Sequence, residues 1–89
     1  MAEVVYTEQF VNNLLIVELD SKVDEILSLT DLLEEIPELG SKNLPASIRR
    51  SYGESVRKLV VDPFDIVYEY DQDAEAAYVL GIVHQRSAW

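Results

Sequence analysis

From Phe64 to Tyr70 the chain alternates without a break. Phe64, Ile66, Tyr68 and Tyr70 fall on one side, and Asp65, Val67 and Glu69 on the other. A period of two sustained over this length specifies a strand with one face buried and the other more polar. The flanking segments extend the theme. Val56 to Val61 is rich in β-branched residues, Asp62-Pro63 supplies a turn, and Asp71-Gln72-Asp73 makes a polar loop tip. Ala77 to Val83 is a nearly continuous apolar run, as expected of a central strand covered on most of both faces. Strands joined by connections this short form an antiparallel meander.

The first half reads differently. Ala2 to Tyr6 is β-branched and aromatic, a short strand, and Thr7 can cap a helix beginning near Glu8. Between residues 8 and 19, Phe10, Val11, Leu14 and Val17 share one helical arc, while Ile16 breaks the pattern. Ser21 with Asp24 three residues on resembles a capping box, so a second helix is expected there. Its apolar positions, from Val23 to Ile36, cover more than half the helical wheel and call for two packing partners. Pro37 ends it, and Gly40 closes the turn. Residues 41–54 are polar, carry Pro45 and Gly53, and read mostly as loop. The order predicts one α+β domain spanning residues 1–89: an N-terminal strand and helical hairpin packed on a small antiparallel β-sheet.

Composition removes several chemistries. There is no cysteine, so disulfides, thiolate zinc sites and a cysteine nucleophile are excluded. His84 is the sole imidazole, which excludes a His-rich metal site. No metal or cofactor is expected. No apolar run approaches the ~18 residues of a membrane span, and the N-terminus lacks a basic signal region. A cytoplasmic protein without membrane association is expected.

Charge is unevenly spread within a net of −10. Residues 1–40 hold ten acids against Lys22, and residues 61–89 hold six against Arg86. Between them, Lys42, Arg49, Arg50, Arg57 and Lys58 meet Glu54 alone. An acidic body is repelled by polyanions within the ~8 Å Debye length of physiological salt. Nucleic acid could approach the basic block only as a local contact against the global field.

Four stretches in order carry a family resemblance: Ile36-Pro37-Glu38-Leu39-Gly40, Ser55 to Val61, Phe64 to Tyr68, and Val79 to Arg86. Together they resemble the RelE/ParE toxin superfamily. Its members share a PELG turn after the second helix, an Arg-x-Leu strand, a Y-R-I-I-Y strand and a terminal L-R-V-L-H-x-R-R. The resemblance implies the toxin of a bacterial type II toxin–antitoxin, plasmid-stabilisation module, neutralised by a cognate antitoxin. It also implies one of two targets. RelE-like members are metal-independent endoribonucleases that cut messenger RNA on the ribosome; ParE-like members bind and inhibit DNA gyrase. The ribonuclease pattern is incomplete here: Asp65 and Gly81 stand where the family places arginines.

Arg57, Tyr68, His84 and Arg86 stay on pattern, enough for an acid (His84) and two cations (Arg57, Arg86) but no assured base, Tyr68 reading as core. His84 reads either as that acid or as a strand-end histidine bonded to the helical hairpin or to Tyr68. Arg57 and Lys58 put one cation on each strand face, either to bind phosphate or acidic peptide, or to pair with Asp65 or Glu69. Arg49 and Arg50 concentrate the basic block, and Trp89 is a packing plug or an exposed anchor for a partner. Arg49, Arg50, Arg57, Lys58 and Trp89 are thus the candidate antitoxin- or target-binding residues. An antitoxin segment is expected to lie across a sheet face that no helix of this chain covers.

Overall fold

The alternating segment forms the second strand of a three-stranded meander in the computed structural model, which describes residues 1–88. Strands β2 (Val56–Val61), β3 (Phe64–Asp71) and β4 (Ala76–His84) pair antiparallel in sequence order. Strand β1 (Glu3–Tyr6) adds to the far side of β4, running parallel to it, so the sheet order is β1-β4-β3-β2. The parallel pair is possible because the whole helical half of the chain lies between these strands. Tyr68 pairs with Val79 while Val67 pairs with Gly81, leaving Leu80 as an extra residue in β4. This bulge lets Ala77, Val79 and Ile82 serve the same core, although the spacing changes parity.

One sheet face packs on helices α1 (Glu8–Leu14) and α2 (Asp20–Asp31), the latter extended by a 3₁₀ turn at Leu32–Glu34. Phe10, Ile26 and Leu33 meet Leu59, Val61, Ile66, Tyr68, Ala77 and Val79 there, with Phe64 packed at the side. The apolar stripe of β3 therefore faces the hairpin, as its alternation requires. Thr7 caps α1, its Oγ1 accepting from the Phe10 amide at 3.3 Å. The expected Ser21 cap is not used. Helix α2 starts at Asp20, two residues before a Ser21 cap would start it, and Leu19 precedes it without a side-chain bond.

Residues 41–54 are not mostly loop. Ala46–Tyr52 forms a helix, α3, whose Ile48 packs with Leu44, Val56 and Val67 as a second core on the opposite sheet face. The spacing Leu44, Ile48, Tyr52 is a helical stripe that the surrounding polar residues obscured. The face expected to be open to an antitoxin is thus covered by this chain's own helix. A last short helix, α4 (Gln85–Ala88), turns the chain off the end of β4.

Candidate functional site

Three of the four family-like stretches meet at the Pro37–Gly40 turn. The Tyr68 hydroxyl accepts from the Gly40 amide at 2.8 Å and donates to the Pro37 carbonyl at 2.9 Å. Arg57, opposite Tyr68 in the sheet, donates to the Gly40 carbonyl at 2.9 Å and to that of Glu38 at 3.4 Å. Its guanidinium also lies 3.7 Å from the Glu38 carboxylate. Gly40 must be glycine, because a Cβ there would stand 2.6 Å from the Tyr68 ring and 2.7 Å from the Lys58 carbonyl. Burial raises the Tyr68 pKa above its ordinary value; the Gly40 amide bond and the nearby Arg57 charge oppose that shift. Arg57 thus clasps a turn rather than pairing with Asp65 or Glu69.

His84 sits away from this turn, at the Phe64 end of β3. It pairs with Phe64, four residues along β3 from Tyr68 and so about 13 Å away along the strand. Arg57 and His84 also flank β3 from opposite sides, so the structure does not bring them together. The imidazole is half-buried, edge-on to the Phe64 ring at 5.6 Å. Its Nδ1 accepts from the Arg86 amide at 3.1 Å, so the neutral ring carries its proton on Nε2. Its bond is to the following turn, not to Tyr68 or the hairpin. Arg86 itself is exposed.

At the two positions departing from the ribonuclease pattern, the structure has built something else. Asp65 is completely buried, and one carboxylate oxygen accepts from Gln85 Nε2 at 3.1 Å, tying α4 back to β3. Gly81 lies beneath α3. A Cβ there would stand 2.5 Å from the Tyr52 hydroxyl and 3.1 Å from Asn13 Oδ1. That hydroxyl accepts from Gln9 Nε2 at 3.0 Å, and Asn13 Oδ1 accepts from the Ile82 amide at 3.1 Å. The space is filled by a bridge between α1 and α3.

The basic block does not form one surface. Arg49 and Arg50 are on α3, where Arg49 donates to the Leu44 carbonyl at 2.7 Å and pairs with exposed Glu54 at 3.8 Å. Arg50 is exposed, and Lys58 is half-buried on the α3 side of β2. Trp89 lies outside the described residues. An open cleft of about 640 Å³ lies at the Arg57 end, where Glu38, Glu54, Glu69, Asp71 and Asp73 outnumber Lys42 and Arg57. Such a lining repels a phosphodiester.

One surface escaped the sequence reading. At the α1–α2 junction, Leu15, Ile16 and Leu19 are 79%, 75% and 62% exposed. Ile16, which breaks the helical arc, was the available signal.

No protein-family model matches the sequence, and no curated protein matches it. The fold superposes on a chain of the intact E. coli RelBE toxin–antitoxin complex with a TM-score of 0.70. That match covers 94% of this chain and 96% of the other at 9% identity. A chain of the RelBE2 toxin–antitoxin complex from Mycobacterium tuberculosis gives 0.71, covering 93% of this chain and 90% of that one at 13% identity. The architecture is a RelE-like α+β fold.

Proposed function

We propose that this protein is the toxin component of a bacterial type II toxin–antitoxin module, neutralised by a cognate antitoxin. It acts by binding its target, as ParE-like proteins bind gyrase, rather than by cutting RNA. The shared fold supports the first part, since both solved structures named above are toxin–antitoxin complexes. The second rests on one observation. Where cleavage needs two guanidinium groups, this chain has a buried carboxylate at Asp65 and, at Gly81, a space occupied by the Tyr52 hydroxyl.

The consequence can be sized. In-line attack of a ribose 2′-hydroxyl gathers negative charge on the phosphate, which preorganised cations must stabilise. Losing one such donor costs about 3–4 kcal/mol, and two would cost roughly five orders of magnitude if additive. Arg57 is held away from such a role, its Nη1 donating to the Gly40 and Glu38 carbonyls and its Nη2 lying 3.7 Å from the Glu38 carboxylate. The acidic lining of the cleft beside it works in the same direction.

The test is induced expression with translation and plasmid supercoiling followed in parallel. Loss of negative supercoiling with translation initially intact is the expected result. An immediate arrest of translation accompanied by cut messenger RNA would reverse the order of the two target classes.

A further inference from the structure

The chain that carries α3 is closed on itself. Ser41 is bonded to Lys58 on β2, its amide donating to the Lys58 carbonyl at 3.0 Å and its carbonyl accepting from the Lys58 amide at 2.9 Å. Beyond Ser41 the chain leaves the sheet, forms α3, and rejoins the same strand at Val56. Residues 42–55 thus begin and end beside one another on β2, which is an edge strand, so lifting them away breaks no strand pairing. Arg49 spends its bonds inside this segment, donating to the Leu44 carbonyl at 2.7 Å and lying 3.8 Å from Glu54. The Tyr52 hydroxyl reaches out of it, accepting from Gln9 Nε2 at 3.0 Å. Its apolar hold is Leu44 and Ile48 against Val56 and Val67, a core that shares no residue with the larger one beneath the helical hairpin. Gly53 turns the chain at φ +105°, with nothing within 4 Å of where a Cβ would stand. A compact surface loop with its ends together, packed by its own side chains, is the make-up of a unit that opens separately.

We infer that residues 42–55 form a lid over this face of the sheet, opening as one body about its attachments at Ser41 and Val56 while the sheet and the hairpin stay folded. Closed, the lid buries Val56 and Val67 and holds the Tyr52 hydroxyl over Gly81. Open, it bares those valines with Leu80 and Val83, and Gly81 loses its cover. The opening equilibrium therefore sets how often this apolar face meets solvent or a partner. The lid is independent of the toxin reading above and holds for either class of target.

The experiment is native-state hydrogen exchange on the full chain, read amide by amide by NMR with and without urea below the unfolding transition. The Arg49 and Gly53 amides, bonded to the Pro45 and Arg49 carbonyls, report the lid, and the slowest amides of β3 and β4 report global unfolding. After correction for intrinsic rates, the lid amides are expected to exchange at least about a hundredfold faster than the strand amides, with little dependence on urea. Tyr68→Phe separates the two openings, because Tyr68 belongs to the other core. It is expected to speed strand exchange about tenfold or more and to leave lid exchange unchanged. Tyr52→Phe, which takes the acceptor from Gln9, is expected to speed lid exchange severalfold. Lid amides with the free energy and urea dependence of the strands, or accelerated by Tyr68→Phe by the same factor, would overturn the lid and leave one cooperative unit. Lid amides exchanging at the rate of an unfolded chain would also overturn it, since no closed state would be populated. The urea dependence of the wild-type chain decides the matter even where a variant fails to fold.

Discussion

Replacing Tyr68 with phenylalanine isolates the clasp on the Pro37–Gly40 turn. The ring stays in its core position among Ile26, Leu33 and Ile66, so the volume lost is one hydroxyl. What disappears is the bridge from the Gly40 amide at 2.8 Å to the Pro37 carbonyl at 2.9 Å. The Gly40 amide is buried, so it loses its partner without gaining water, at about 1–3 kcal/mol. The Pro37 carbonyl is only partly buried and can be rehydrated, so its loss is about 0.5–1 kcal/mol. The sum is about 1.5–4 kcal/mol. With an unfolding entropy near 2.1 cal/mol/K per residue, a chain of this length loses about 8–20 °C in Tm. Thermal unfolding followed by circular dichroism reads this directly, and urea unfolding with an unchanged m-value would show that the denatured state is unaltered. Arg57→Met, which releases the same turn from the other side, should be coupled to it by at least about 0.5 kcal/mol in a double-mutant cycle. A Tm shift below about 3 °C, or strict additivity, would refute the clasp.

The three tyrosines with raised pKa values set the alkaline limit. Burial is the leading cause at Tyr6, Tyr52 and Tyr68, so above pH 10 the unfolded chain releases these protons before the folded one does. Stability from these groups is therefore complete below pH 10 and falls as pH rises through the folded values, and Tyr68→Phe should flatten that fall in urea titrations. Gly81→Arg should displace the Tyr52 hydroxyl and destabilise by about 1–3 kcal/mol, with hydrogen exchange rising first in α3. Ile48→Ala should cost about 2–4 kcal/mol by opening a cavity in the core beneath α3, measurable by urea unfolding. His84→Ala should lower stability by about 1 kcal/mol through the lost Phe64 contact and leave toxicity in an induced culture unchanged.

The meander was legible because a strand period of two survives any context that buries one face, and Ile66 and Tyr68 obey it to full burial. The first helix and its Thr7 cap were legible for the same kind of local reason. Helix α3 was not. Its apolar stripe has one residue per turn, and the arginines, serines and Pro45 between them mimic a loop. Only the neighbouring strands, by leaving Val56 and Val67 to be covered, make that stripe decisive. The roles of Arg57 and Tyr68 were equally hidden. Their partners are backbone groups of the Pro37–Gly40 turn, up to 31 residues away, and backbone carbonyls leave no mark in a pattern of side chains. Asp65 was recognised as a departure from the family pattern. Its complete burial, with Gln85 folded back upon it, could not be read from a strand position that merely alternates with apolar neighbours.

Cleavage of messenger RNA on programmed ribosomes by the purified protein tests the central claim most directly. With Asp65 buried, Gly81 overlain by Tyr52, and Arg57 and His84 on opposite sides of β3 and four residues apart along it, no cleavage above the ribosome-only background is expected. Robust ribosome-dependent cleavage that vanishes in a correctly folded His84→Ala variant would contradict the account.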